Sequence, residues 1–353
     1  MASIRKKGDF QWHVQIRRKG FAPVTKTLNT RAEAETWARS VENEMDRGIF
    51  IDRSEAEATT LHEALERYER EVSATKKGHE QERWRIRAWL MHPLAKRSMA
   101  SLRGGDFAKH RDDRLSTGIA PATIKNDLAV ISHLFTMAAK EWGLAVSNPV
   151  KNIRMPPVQN ARERRLESDE EVRLLAAMDN PAGQRSNHWM KPLTIFAMET
   201  AMRQSELLSL GWKDVDLLQS FVRARGIGGR STKNDDNHRD VPLSSRARNV
   251  LENLPRSLGG KVFPTTASAV KQAFARACVR ARKDYTDECK IKGQMPDDRL
   301  LDLHFHDLRH EGTSRLAGKL ALHEIMKVTG HKDTRMLARY YHPKASDLAK
   351  KLG

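Results

Sequence analysis

The stretch GHKDTRMLARYYHP runs from Gly330 to Pro343. It carries His331, the basic residues Lys332, Arg335 and Arg339, and two adjacent tyrosines, Tyr340 and Tyr341. A phenol ionises at about pH 10, so it is a weak nucleophile near neutrality, and positive charge close by favours its anion. A tyrosine pair is more often packing than chemistry. Its use here depends on what the rest of the chain supplies.

With 353 residues the chain has room for two or three domains. It has no run of about 18 apolar residues, so a membrane span is not expected. The opening MASIRKKGDFQWHV lacks the apolar core of a signal peptide. The two cysteines, Cys278 and Cys289, form neither a CxxC pair nor a disulfide framework. These features point to a reducing bacterial cytoplasm. The net charge of +18 is spread along the chain: +4 over 1–51, +4 over 52–158 and +10 over 159–353. Such a spread fits a protein that embraces a polyanion, with nucleic acid first and an acidic membrane surface second. A ribosomal or chaperone-like basic protein is the competing class.

The pattern predicts a multidomain, mainly α protein. Residues 1–50 read as a small β-sheet plus helix. In FQWHVQI, Phe10, Trp12, Val14 and Ile16 alternate with Gln11, His13, Gln15 and Arg17, so one face is buried and the other polar. A turn over Arg17, Arg18, Lys19 and Gly20 leads to a second strand, Val24–Leu28. Thr30 and Glu33 have capping-box spacing before a helix that places Ala34, Trp37, Val41 and Met45 on one face and ends at Gly48. The Gln/His/Arg face of such a sheet suits a major groove, and a solvated strand face reads equally well. Gln11, His13, Gln15, Arg17, Arg18 and Lys19 are the candidates there.

Residues 51–60 read as a linker and 61–153 as a helical domain. Ile124, Leu128, Ile131, Phe135 and Ala138 recur at helical spacing, with Pro121 near the start and Gly143 past the end. A second linker, 154–165, contains the helix-resistant pair Pro156-Pro157. Its arginines Arg154, Arg162, Arg164 and Arg165 suit a strap along a phosphate backbone. The last segment, 166–353, reads as mostly α with a small β-sheet. Ser168 and Glu171 have capping-box spacing, and strands are expected near Ser220–Arg225 and Arg239–Leu243 around a polar loop.

Four motifs in this segment carry possible chemistry. ETAMRQSELLSLGW places Arg203 just before a helix that Ser205 is positioned to cap. STKNDDNHRDVPLS places Lys233 on the loop. HFHDLRHEGTS places His306 and Arg309 three apart, on one helical face. The fourth is the stretch quoted first. Each alone is weak.

Together, in this order, they resemble the tyrosine recombinases, the phage integrase family. That family carries Arg, Lys, His-x-x-Arg, His or Trp, and Tyr in this chain order. The resemblance implies Arg203, Lys233, His306, Arg309, His331 and Tyr340 as the catalytic set. Tyr340 stands nine residues after His331, the family's spacing; Tyr341 falls at a variable place and His342 completes Tyr-x-His. ETAMRQ, RDVPLS and HFHDLRHE look closest to shufflon-type DNA-inverting recombinases, and the N-terminal part looks more like integrases of phages and genomic islands. Two departures stand out. The family often has Thr-Gly before the first arginine, where this chain has Ala201-Met202, and usually Leu-Gly-His, where it has Thr329-Gly330-His331. Neither replaces a group that does chemistry.

The resemblance implies an arm-binding domain with a three-stranded sheet, a helical core-binding domain and a catalytic domain. Its expected partners are double-stranded DNA with core-type and arm-type sites, DNA-bending accessory proteins, and three further copies of the chain in a tetramer on DNA. No cofactor and no metal is expected. The residue types fit the implied chemistry. A tyrosine oxygen attacks the phosphodiester and holds it as an ester, splitting one transfer into two reversible ones. Two guanidinium forks stabilise the charge that develops on the non-bridging oxygens. Lys233, with a suitably lowered pKa, would protonate the leaving 5′ oxygen. His306 would accept the tyrosine proton or bond a phosphate oxygen, and His331 would donate to the other. The final ASDLAKKLG, with Leu348 and Leu352, would pack against a neighbouring protomer.

Three rival readings remain. His304, His306 and His310 form H-x-H-x3-H, a pattern for a metal-dependent nuclease, without an acidic ligand cluster beside it. A binding-only regulator would leave Arg203, Lys233 and Tyr340 as coincidence. A type IB topoisomerase would share the chemistry.

Overall fold

In the N-terminal part, the alternation of Trp12, Val14 and Ile16 buries one face of a strand. Val14 and Ile16 are fully buried and Trp12 partly so. The computed structural model describes residues 2–158, 162, 164–167, 169–179, 187–225, 238–338 and 340. Mainly helical, with two three-stranded antiparallel sheets, it divides into two compact units, 1–160 and 161–353.

The first unit opens with the sheet β1 (Ala2–Gly8), β2 (Gln11–Ile16) and β3 (Val24–Leu28), with β2 central. Reading residues alone gave two strands. β1 escaped because six of its seven residues are polar or small, leaving Ile4 as the one large apolar signal. The register stacks Ile4 on Val14 and Lys26 on the covered face. On the other face it aligns Arg5, His13 and Thr27 across the strands, with Ser3, Gln15 and Thr25 beside them. Phe10 departs from its expected place: it sits in the β1–β2 turn and is 81% exposed. Helix α1 (Arg31–Asp46) covers the sheet through Ala34, Ala38, Val41 and Met45, and Trp37 is half-buried beside them. Its capping box is formed in both directions, Glu33 N to Thr30 Oγ1 and Thr30 N to Glu33 Oε2, each 3.2 Å.

Residues 51–60 contain one short helix, α2 (Ser54–Ala58), whose Ala56 is buried. Four longer helices follow: α3 (Leu61–Glu71), α4 (His79–Leu90), α5 (Gly104–Ser116) and α6 (Pro121–Lys140). In α6 the 3–4 spacing does what amphipathicity requires, leaving Ile124, Leu128, Ile131, Phe135 and Ala138 all without exposure. Each large side chain so buried contributes about 2 kcal/mol. They share a core with Leu61, Leu65, Tyr68, Trp89 and Phe107. This core is separate from the one under the sheet.

The second unit contains α7 (Glu170–Met178), α8 (Met190–Thr200), α9 (Gln204–Ser209), the sheet β4 (Val215–Asp216), β5 (Phe221–Arg225) and β6 (His238–Pro242), then α10 (Ser245–Glu252), α11 (Ala267–Ile291), α12 (Asp307–Ala317), α13 (Leu322–Thr329) and α14 (Thr334–Ala338). The expected strand pair is β5–β6, and β4 adds a third, two-residue strand. The N-cap of α7 is Asp169, and Ser168 lies outside the described residues. Glu171 does not cap α7; it pairs with Arg246 and Arg315. The approach of α12 to α8 needs a glycine: a Cβ on Gly312 would stand 2.4 Å from the Met198 carbonyl oxygen. Among the described residues no helix is long and apolar enough to cross a membrane.

Candidate active site

Helix α8 ends at Ala201, whose φ of 50° and ψ of 24° are left-handed. That reversal delivers Arg203 to the start of α9. The expected cap, Ser205, lies inside the helix. Arg203 itself is the N-cap, and its backbone N–H donates to Glu206 Oε2 at 2.8 Å. Glu206, at the third helical position, accepts the N–H of the N-cap residue, the reciprocal half of a capping box.

Glu206 is 4% exposed and collects three donors besides that N–H. Arg239 Nη1 and Nη2, from β6, reach its two oxygens at 2.6 and 2.7 Å, and Arg203 Nη1 reaches Oε1 at 3.1 Å. Burial alone would raise this carboxyl. The Arg239 pair, then Arg203, overrides burial and holds it at about 2. Arg239 Nε also donates to Val328 O at 2.8 Å, at the end of α13. There Gly330 adopts φ 71°, and a Cβ on it would stand 3.3 Å from the Arg239 side chain.

This turn presents His331. Thr329 Oγ1 donates to Ile325 O at 2.6 Å and lies 2.6 Å from His331 Nδ1, so His331 Nδ1 is the donor in that pair. Its Nε2 then faces Arg309 Nη2 at 3.3 Å. Arg309 lies in the first turn of α12 and is 6% exposed. It donates to Ala201 O and, at 2.8 Å, to Thr329 O. Among the described residues no carboxylate accepts from it. Burial and then the neighbouring Arg203 guanidinium pull it down to about 9, with Glu206 opposing.

Three of the six expected catalytic residues, Arg203, Arg309 and His331, are thus gathered around Gly330, since Arg203 Nη2 reaches Gly330 O at 3.4 Å. Lys233 lies outside the described residues, as do Tyr341 and His342. His306 is the N-cap of α12 and is exposed, whereas Arg309 three residues on is buried, so the two do not share one environment. Tyr340 Oη is hydrogen-bonded to His310 Nδ1, with ring centroids 5.6 Å apart. His306 stands edge-on to His310, 5.1 Å between centroids. Among the described residues no group of three or more His, Cys, Asp or Glu is placed to hold a metal ion.

Sequence reasoning missed Glu206, Arg239 and His310. For Glu206 a signal existed, a carboxylate three residues after Arg203 at a helix start. Arg239 and His310 act across 33 and 30 residues of chain, where no local spacing points to them.

Of the candidates for contacting DNA, Gln11, Arg17, Arg18 and Lys19 are exposed and His13 and Gln15 half-exposed on the open face of the sheet. Arg18 pairs with Asp46, and His13 Nδ1 lies 3.4 Å from Thr27 Oγ1. Arg154 is exposed. Arg162 and Arg164 are engaged internally, and Arg165 is exposed. Arg162 holds Asp307 through Nε at 2.6 Å and Nη2 at 2.8 Å, and Asp302 through Nη1 at 2.7 Å. Arg164 pairs with Glu170, and Arg165 lies 3.5 Å from Glu311.

Comparison with known proteins agrees with this geometry. Residues 164–347 match the phage integrase family. The chain is 39% identical over 302 residues to the shufflon-specific DNA recombinase of Escherichia coli, covering 83% of this chain and 71% of that protein. It is 27% identical over 263 residues to tyrosine recombinase XerC of Xanthomonas campestris pv. campestris, 73% of each chain. In fold it is similar to lambda integrase, solved as a tetramer bound to a Holliday junction, with a TM-score of 0.63 at 19% identity over 97% of this chain and 94% of that one.

Proposed function

Since the chain belongs to the phage integrase family, the tyrosine recombinases, we propose that it cuts and rejoins double-stranded DNA at defined sites through a 3′-phosphotyrosine at Tyr340. The observation that carries this reading is the buried Arg309 beside Arg203 and His331, which among the described residues donates to backbone carbonyls and to no carboxylate. The two guanidiniums hold the scissile phosphate. Tyr340 Oη attacks phosphorus, the bond to the 5′ oxygen breaks, and Lys233 gives that oxygen a proton. His306 donates to a non-bridging oxygen, and so does His331 when Nε2 also carries a proton. The reverse attack by a 5′ hydroxyl reseals the strand. Energy is conserved in the ester, so neither metal nor nucleotide is needed.

The reaction serves integration and excision of a mobile element. Inversion is the second reading, and the 39% identity to a shufflon-specific recombinase favours it. Four protomers act together on DNA. The polar face carrying Arg5, His13, Gln15 and Thr27 reads arm-type sites, DNA-bending proteins assist, and the setting is a bacterial cytoplasm. The test mixes the protein with a nicked duplex of its site in EDTA and looks for an SDS-resistant adduct. A band lost with Tyr340→Phe and kept with Tyr341→Phe supports the reading. Loss only with Tyr341→Phe moves the nucleophile by one residue. Metal-dependent cleavage without an adduct overturns the reading.

A further inference from the structure

We propose that His310, one helical turn beyond His306, is the side chain that takes the Tyr340 proton during cleavage and returns it during resealing. The proposal rests on the recombinase reading and names the base within it. It starts from a contact: Tyr340 Oη is bonded to His310 Nδ1, and the two rings lie 31° from parallel with centroids 5.6 Å apart. A general base must be within hydrogen-bond reach of the proton it removes, and His310 meets that condition before DNA arrives. His306 occupies the exposed N-cap of α12, and its ring meets the edge of His310 at 88°.

The backbone explains the arrangement. His310 follows Arg309 on α12, about 100° round the helix axis. Arg309 turns into the core toward Ala201, Thr329 and His331, while His310 stays half-buried beside Tyr340. One helical turn thus presents the phosphate-holding cation and the base next to each other.

The step balances. In the resting state His310 carries its proton on Nε2 and offers the Nδ1 lone pair to the phenol. As Tyr340 Oη bonds to phosphorus, its proton moves to Nδ1, the bond to the 5′ oxygen breaks, and that oxygen is protonated by the general acid. The imidazolium then adds one more positive charge beside the phosphate. On resealing, the 5′ hydroxyl attacks phosphorus and gives its proton to the now-deprotonated general acid, the Tyr340–phosphorus bond breaks, and Nδ1 hands its proton back to the phenolate oxygen.

The experiment compares single-turnover adduct formation on the nicked duplex for the wild type, H310N, H310A and H306A, each with tyrosine or 3,5-difluorotyrosine at 340. Asn keeps a polar group near the Nδ1 position but is no base, so H310N guards against a folding defect. H310N and H310A should slow adduct formation by about 10²-fold or more, whereas H306A, which removes a phosphate contact, should cause a loss that fluorination of the phenol leaves unchanged. Fluorination acidifies the phenol, so it should shrink the H310N defect several-fold. A purely structural defect would be the same with either phenol. A large H306A loss relieved by fluorination, with H310N near wild type, would overturn the assignment in favour of His306. Faster cleavage by H310A would make the contact a latch and also overturn it. Absence of a wild-type adduct would instead count against the recombinase reading itself.

Discussion

Arg239 and Glu206 meet side-on, Nη1 to Oε1 at 2.6 Å and Nη2 to Oε2 at 2.7 Å, with their side chains 10% and 4% exposed. The pair joins three separate motifs. Glu206 fixes Arg203 through its backbone and its guanidinium, while Arg239 reaches from β6 to Val328 and packs against the Gly330 turn ahead of His331. A bidentate Arg–carboxylate pair has one favourable geometry, so it sets angles as well as distances.

Glu206→Gln tests the pair through pH. The folded carboxyl is held at about 2, well below the ordinary range of a glutamate. A depressed carboxylate stabilises the fold above its unfolded pKa, and that contribution is lost as pH falls toward the folded one. Between pH 5 and pH 3.5 the wild type should lose about 1 kcal/mol that the Gln variant does not lose. At pH 7 the variant should be less stable by about 3 kcal/mol, because Arg239 stays buried without its counter-charge. Urea unfolding of both proteins at the three pH values measures this. A constant difference across pH would mean that the carboxyl is not depressed.

Ala201→Gly should stabilise the protein by about 1 kcal/mol. Ala201 holds φ 50° and is fully buried, and a non-glycine residue pays a steric penalty in that region. The carbonyl that accepts from Arg309 belongs to this residue, so the variant also tests whether the strain tunes the site. Higher thermal stability with unchanged adduct formation would mark the strain as incidental. Higher stability with slower cleavage would mark it as functional.

What could be read in advance followed the range of the interaction involved. The α6 face, the Thr30–Glu33 box and the β5–β6 pair come from periodicities within a few residues, and the structure has each of them. Strand β1 did not stand out, because Ser3, Arg5 and Lys7 make it look like a solvated segment until β2 is placed beside it. The capping role given to Ser205 failed because the helix starts one residue earlier, at Gln204 with Arg203 as N-cap, where Glu206 accepts the Arg203 N–H and Arg239 draws its carboxylate inward. Arg203, Arg309 and His331 were recognisable through the order of motifs. The Tyr340–His310 and Glu206–Arg239 contacts exist only once the chain is folded.

Arg162→Ala separates a clamp from a phosphate strap. Arg162 neutralises Asp307, whose side chain has no exposure, and also holds Asp302. Removing it strips a buried carboxylate of its charge partner, and the expected loss is on the order of 3 kcal/mol. If the guanidinium also contacted DNA, the log–log salt dependence of binding would weaken by about 0.9. With Arg162 engaged internally the slope should stay unchanged. Fluorescence anisotropy titrations at several salt concentrations, beside urea unfolding, decide between the two roles.

Lys233→Ala should slow cleavage by about 10²-fold or more and weaken DNA binding far less. A lysine that merely attracts the backbone adds one charge among 63 basic residues, and its loss would lower affinity and rate together. A general acid acts only as the 5′ oxygen departs, so its loss falls on the chemical step. A substrate with sulfur in place of that bridging oxygen sharpens the test. Thiolate leaves without a proton, so the variant should cleave the sulfur substrate at close to the wild-type rate. Equal losses on both substrates, or a fall in affinity that matches the fall in rate, would remove Lys233 from the proton path and leave it a backbone contact.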